Sequence, residues 1–175
     1  MKKALRAFFT LIKLCFLKIK YTKKLAFAKV MLISSKAKLR IAKGGHLTLG
    51  KRVEISENCL IDAVGGKITL GEFVFINRGA TVVSMDTVTI GDHTDIGPNL
   101  VIYDHDHDFR SGKRDEFVTA PVSIGKNVWI GANCTILKGV TIGDNAVIAA
   151  GSTVSRDVPA NSILYQKREN VIKPL

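Results

Sequence analysis

Val122 to Asp157 reads V-S-I-G-K-N, V-W-I-G-A-N, C-T-I-L-K-G, V-T-I-G-D-N, A-V-I-A-A-G, S-T-V-S-R-D. Six blocks of six share a small or aliphatic residue first, Ile or Val third, and a polar or turn-forming tail. Ile124, Ile130, Ile136, Ile142, Ile148 and Val154 keep strict register. Neither helix nor strand has a period of six, and a fixed period marks a repeat architecture. With each block a short strand plus a turn, three blocks close a triangular coil whose third-position side chains point at the axis. The glycines that follow, Gly125, Gly131 and Gly143, are expected at the corners, where a backbone without Cβ turns at least cost. Coils then stack through parallel ladders, because no coil alone buries its apolar face.

Outward from this stretch the repeat continues. L-T-L-G-K-R, V-E-I-S-E-N and C-L-I-D-A-V run from Leu47, and I-T-L-G-E-F, V-F-I-N-R-G and A-T-V-V-S-M follow a slip at Gly65-Gly66-Lys67. V-T-I-G-D-H, T-D-I-G-P-N and L-V-I-Y-D-H follow a second slip at Asp86-Thr87. Nine hexads before the interruption and six after it predict an all-β solenoid of about five coils. The interruption is residues 104–121, D-H-D-H-D-F-R-S-G-K-R-D-E-F-V-T-A-P. A polar insertion on one corner of a solenoid is the usual carrier of function, and this one holds two of the four histidines.

Residues 1–43 differ in kind. Residues 1–45 hold 13 of the 26 Lys and Arg and no acid, whereas the remainder sets the other 13 against all 15 acids, so the net charge of +11 belongs to one end. Leu5, Phe8, Phe9, Ile12, Phe16 and Ile19 recur at helical spacings, broken by Lys13, Lys18, Lys20, Lys23 and Lys24. The apolar run is too short to span a bilayer, and no small-residue cleavage site follows it as in a secretion signal. Two roles are open for this basic amphipathic helix: peripheral contact with an anionic membrane surface, or capping of the solenoid's open end. A nucleic-acid partner is not expected, since no aromatic or arginine-rich pattern accompanies the lysines. The chain thus divides into a helical segment (1–43), a repeat domain (44–163) with its loop (104–121), and a tail (164–175). Cys15, Cys59 and Cys134 form no CxxC pair and read as buried free thiols of a reducing compartment.

The run from Val88 to Asp157 resembles the left-handed parallel β-helix acyltransferases of the hexapeptide-repeat family. It is most similar to the branch of galactoside, maltose and nodulation O-acetyltransferases and of capsule and lipopolysaccharide O-acetyltransferases. V-T-I-G-D-H-T-D-I-G-P-N-L-V-I-Y, the histidine-bearing loop, A-P-V-S-I-G-K-N-V-W-I-G-A-N and G-V-T-I-G-D-N-A-V-I-A-A-G carry the likeness. The resemblance implies a left-handed coil, a homotrimer, and acetyl-CoA as acyl donor in a groove between subunits, with no metal required. It further implies O-acetyl transfer to a carbohydrate acceptor of a cell-surface polysaccharide, glycolipid or precursor. The expected location is cytoplasmic, with a peripheral site at the inner face of the cell membrane for the basic segment.

Attack of a sugar hydroxyl on a thioester needs a base, and histidine serves near neutral pH. In the family the catalytic histidine lies eight residues beyond the corner asparagine; counting from Asn99 gives His107, with His105 on the same extended segment as the alternative base. Asp104, Asp106 and Asp108 are candidates to orient the imidazole. The resemblance also assigns Trp129, Ala132, Ala150 and Arg156 to the cofactor and Asn77 to the acceptor; Trp129 equally suits subunit packing and Asn77 a plain corner. Past Ile163 the sequence L-Y-Q-K-R-E departs from the family's usual turn, leaving contacts with the cofactor's adenine end unassigned. Other readings are N-acetylation of an amino sugar, a non-catalytic trimeric scaffold, and a zinc enzyme on the same fold. The histidine spacing fits the last poorly, since His93 precedes His105 by twelve residues.

Overall fold

The computed structural model describes residues 2–28 and 30–167. Helix α1 (Lys2–Tyr21) and a short 3-10 turn lead into six coils of three strands each. The coils are β1 (Leu25–Phe27), β2 (Leu32–Ile33), β3 (Lys38–Ala42); β4 (His46–Leu49), β5 (Glu54–Ile55), β6 (Leu60–Val64); and β7 (Lys67–Leu70), β8 (Phe75–Ile76), β9 (Thr81–Ser84). The fourth holds β10 (Thr87–Ile90), β11 (Asp95–Ile96) and β12 (Val101–Tyr103), after which β13 (His105–His107) and β14 (Phe117–Thr119) project as an antiparallel hairpin. The last two are β15 (Val122–Ile124), β16 (Trp129–Ile130), β17 (Thr135–Ile136) and β18 (Thr141–Ile142), β19 (Val147–Ile148), β20 (Thr153–Val154), closed by β21 (Ile163–Leu164). Equivalent strands pair in parallel to give three sheets, the faces of a prism: β1-β4-β7-β10-β15-β18, β2-β5-β8-β11-β16-β19-β21 and β3-β6-β9-β12-β17-β20.

The hexad ladder is the core. Ile90, Ile96, Ile102, Ile124, Ile130, Ile136, Ile142 and Ile148 are each at most 1% exposed, and first-position residues such as Val128 and Cys134 point inward beside them. Two corners also have a fixed register. Asn127, Asn133, Asn145 and Asn161 adopt φ near +55°, a left-handed conformation that asparagine tolerates better than other side-chain-bearing residues. Their amides link coil to coil, Asn127 Nδ2 donating to Asn145 and Asn145 Nδ2 to Asn161. Gly125, Gly131 and Gly143 do not have positive φ, which corrects the reason expected for them. A Cβ on Gly131 would sit 2.5 Å from the Ala150 nitrogen, so close stacking of the next coil, and not turning, demands glycine there.

The helix ends at Tyr21, and the first coil occupies residues 25–42, so there are six coils where about five were expected. L-A-F-A-K-V, M-L-I-S-S-K and A-K-L-R-I-A are hexads, with Leu25, Met31, Ile33, Ala37 and Leu39 buried. The absence of Gly and Asn from residues 25–42 hides them. α1 covers the open end of this coil. Leu14 is fully buried, and Thr10 Oγ1 both accepts from Ile33 N (2.9 Å) and donates to Ile33 O (3.2 Å), replacing the missing neighbour strand of β2. Lys13 Nζ donates to Ser34 O and Ala37 O, and Lys18 Nζ to Leu25 O. At the far end Gln166 does the same for β20, its amide bonding both Thr153 N and Thr153 O. The rest of the tail, from residue 168, lies outside the described residues. Cys59 and Cys134 are buried free thiols as expected, but Cys15 is exposed on α1.

Candidate active site

Alternation along β12 decides how the insertion begins: Ile102 points in, Tyr103 out and Asp104 in. Asp104 is wholly buried. Its carboxylate accepts hydrogen bonds from Ser84 Oγ (2.7 Å), Met85 N (2.8 Å) and Asp86 N (2.9 Å) on the coil below, and lies 2.9 Å from His105 Nδ1. Ala120 N donates to Asp104 O at 2.9 Å, closing the hairpin's neck. Of the three acids considered for orienting an imidazole, Asp104 meets His105. Asp106 instead pairs with Lys138 Nζ at 3.0 Å, and Asp108 accepts from Arg110 N within the hairpin tip.

The two loop imidazoles differ. The His105 side chain is 9% exposed, edge-on to both Tyr103 and Phe117 at 5.4 and 5.6 Å between centroids. His107 is exposed, its ring packed on Phe117 at 4.5 Å, and its Nδ1 lies 3.0 Å from Arg114 O. A carbonyl only accepts, so Nδ1 carries the hydrogen, and in the neutral ring this tautomer places the lone pair a general base needs on Nε2. Nε2 has no hydrogen-bond partner among the described residues. The ring borders a depression of about 420 Å³ with Asp108, Phe109, Lys113 and Arg114. Tyr103 and Phe117 pack on the histidines and Lys138 holds Asp106 between them, but none of the three was singled out from the sequence. The only signal for Phe117 is its place opposite His107 across the hairpin.

The remaining candidates line other parts of the prism. Trp129 stands on the outer face of the second sheet, 58% exposed, between Asp95 and Val147. Ala132 and Ala150 stack at the corner between second and third sheets, where Gly151 N donates to Ala132 O. Lower on that edge, Asn77 lines a polar groove of about 400 Å³ with Ser34, Ser56, Glu57 and Arg78. Asn77 is not at a left-handed position, and its Oδ1 accepts from Arg78 N, so backbone freedom does not explain it. Arg156 is exposed beyond β20, at the corner between third and first sheets from which the hairpin also leaves. One chain therefore gathers Trp129, Ala132, Ala150 and Asn77 along one side and His105, His107 and Arg156 along another. No cluster of three or more His, Cys, Asp or Glu suited to a metal occurs among the described residues.

A family model for the hexapeptide repeat of succinyl-transferase matches residues 121–156. Nodulation protein L of Rhizobium leguminosarum bv. viciae is 50% identical over 75 residues, 42% of this chain and 40% of that protein. The Escherichia coli K12 protein named as a lipopolysaccharide biosynthesis O-acetyl transferase is 30% identical over 147 residues, 76% of this chain and 74% of its own length. The chain spans about half the length of the nodulation-protein relatives it matches. Among solved structures, a hexapeptide-repeat-containing acetyltransferase of Vibrio cholerae O1 biovar eltor, complexed with acetyl coenzyme A, superposes with a TM-score of 0.60 at 36% identity, covering 66% of this chain and 63% of that one.

Proposed function

Because the chain belongs to the hexapeptide-repeat acetyltransferase family, we propose that it is an acetyl-CoA-dependent O-acetyltransferase whose acceptor is a sugar hydroxyl of a cell-surface polysaccharide, glycolipid or precursor. The observation that carries the reading is the state of His107, an accessible imidazole whose Nδ1–H is tied to Arg114 O, leaving Nε2 to take a proton. His107 removes the acceptor hydroxyl's proton as the oxygen attacks the thioester carbonyl. The tetrahedral adduct collapses, the C–S bond breaks, and the proton passes from Nε2 to the departing thiolate of coenzyme A. His105 we assign as an anchor and not the base, because its ring is nearly closed off between Tyr103 and Phe117, whereas His107 is open to an acceptor.

The edge carrying Ala132 and Ala150, with Trp129 beside it, is the proposed seat of the cofactor's pantetheine arm, and Arg156 meets its phosphates. The groove around Asn77 takes the acceptor. These elements meet when three copies assemble so that the hairpin of one lies against the Trp129 edge of the next. Support comes from the cofactor in the Vibrio structure and the transferase names of the relatives. An amino-sugar acceptor would use the same base, and acceptor profiling with paired hydroxyl and amine sugars separates the two.

His107→Ala is expected to lower kcat by about 10²- to 10⁴-fold while leaving acetyl-CoA binding, measured by calorimetry, and melting temperature unchanged. Unaltered turnover in that variant would remove His107 as the base. Absence of acetyl-CoA binding in the native protein would leave only a scaffold.

A further inference from the structure

With successive residues about 100° apart around a helix, Thr10, Leu14, Leu17 and Tyr21 fall on one side of α1, the side seated on the first coil. Leu5, Phe8, Phe9, Ile12, Phe16 and Ile19 fall on the opposite side. All six are exposed, Phe16 by 69% and Ile19 by 76%. The helix is thus apolar on two faces, and only one is covered. Lys20, Lys23 and Lys24 are exposed at its C-terminal end, and no acid occurs in the sequence before Glu54. Among the described residues no helix is long and apolar enough to cross a membrane.

We infer that the outer face of α1 docks the protein, solenoid end down, onto an anionic lipid surface, with the phenylalanines entering the headgroup region and the lysines meeting phosphates. Charge complementarity selects this occupant. A second copy would set two basic faces with no acids against each other, a repulsive pairing, whereas an anionic bilayer supplies both an apolar layer and negative charge. The arrangement leaves the hairpin clear of the lipid, because it leaves the fourth coil, three coil steps or roughly 15 Å above the first, while the Asn77 groove reaches down to Ser34 on the lipid side. The inference stands apart from the transfer chemistry, since nothing in it uses His107 or the cofactor edge.

The test is cosedimentation of the full chain with large vesicles of zwitterionic lipid alone, and of zwitterionic lipid containing about 30% phosphatidylglycerol. The expected result is partitioning on the order of 10-fold or more in favour of the anionic vesicles, weakening as salt rises. The quadruple variant Phe8→Gln, Phe9→Gln, Phe16→Gln, Ile19→Gln, altered only at exposed positions, should lose on the order of 10-fold in partitioning. It should keep its circular dichroism, melting temperature and acetyl-CoA binding. Equal partitioning to both vesicle types, or a variant that binds lipid as the native chain does, overturns the inference. So does a variant whose only change is a smaller oligomeric mass, because the face is then an interface between copies. Loss of acetyl-CoA binding in the native chain would count against the catalytic reading alone.

Discussion

Asp104 is a buried carboxyl group met by two backbone N–H groups, one hydroxyl and one imidazole. Its side chain therefore fixes the third-to-first corner of the coil below as well as the base of its own hairpin. Asp104→Ala would leave the buried Ser84 hydroxyl and the part-buried Met85 and Asp86 amides without their acceptor. The expected loss is roughly 3 kcal/mol, a fall of about 6–12 °C in melting temperature for a chain of this size. Calorimetric melting of the variant checks it, and a shift below about 2 °C would show that the carboxylate is not the anchor. His107→Ala, by contrast, should leave the melt untouched and remove turnover, so the two variants separate holding the loop from using it. The insertion that carries the histidine pair was legible as the one long break in the hexad period. Which acid meets which histidine was not, because three alternating acids in a polar insertion look alike until strand alternation along β12 is followed one residue past Tyr103.

At the scale of the coil, two corner devices can be tested separately. Gly131→Ala puts a methyl group 2.5 Å from Ala150 N and 2.7 Å from its Cα, and backbone cannot step aside as a side-chain tip can. A loss of about 1–3 kcal/mol is expected, with weakened acetyl-CoA binding if the Ala132–Ala150 edge seats the cofactor. Gly112→Ala, at φ +69° with nothing within 4 Å of the added atom, serves as the control and should lose only about 1 kcal/mol of backbone preference. Equal melting temperatures for both variants would refute the stacking account. At the first-to-second corner, the Lys126 ammonium 2.9 Å from Asp92 holds that carboxyl below its ordinary range. A depressed folded-state pKa stabilises above the unfolded value near 4 and is lost as pH falls through the folded one. Melting curves of the native chain and Asp92→Asn should therefore differ modestly at neutral pH and converge in acid, the gap shrinking with salt because both groups are partly solvated. Coils two to six were readable because an aliphatic third position recurs in every block and Gly or Asn marks most block ends. Coil one was not, since its first two blocks contain neither Gly nor Asn and its apolar spacing passes for a continuation of α1.

Across the whole prism, topology sets what one subunit can do alone. The hairpin leaves the corner between third and first sheets, and a three-sided solid places that corner opposite the second sheet, whose outer face carries Trp129. No movement of the hairpin within the chain joins His107 to the proposed cofactor edge without passing around the coil. The proposed reaction therefore calls for an assembly in which each site would borrow a hairpin from one copy and an edge from the next. His107→Ala and Trp129→Glu should each be inactive as a pure protein. When the two are co-expressed under separate tags, random cyclic assembly joins an intact hairpin to an intact edge at about a quarter of the sites. Purification through both tags in succession should then return acetyl transfer to a measurable fraction of the native rate, with acetyl-CoA binding limited to the edges that keep Trp129. Mixed assemblies as inactive as their parents would mean that hairpin and edge never share a site, and the reaction would have to be sought within a single subunit.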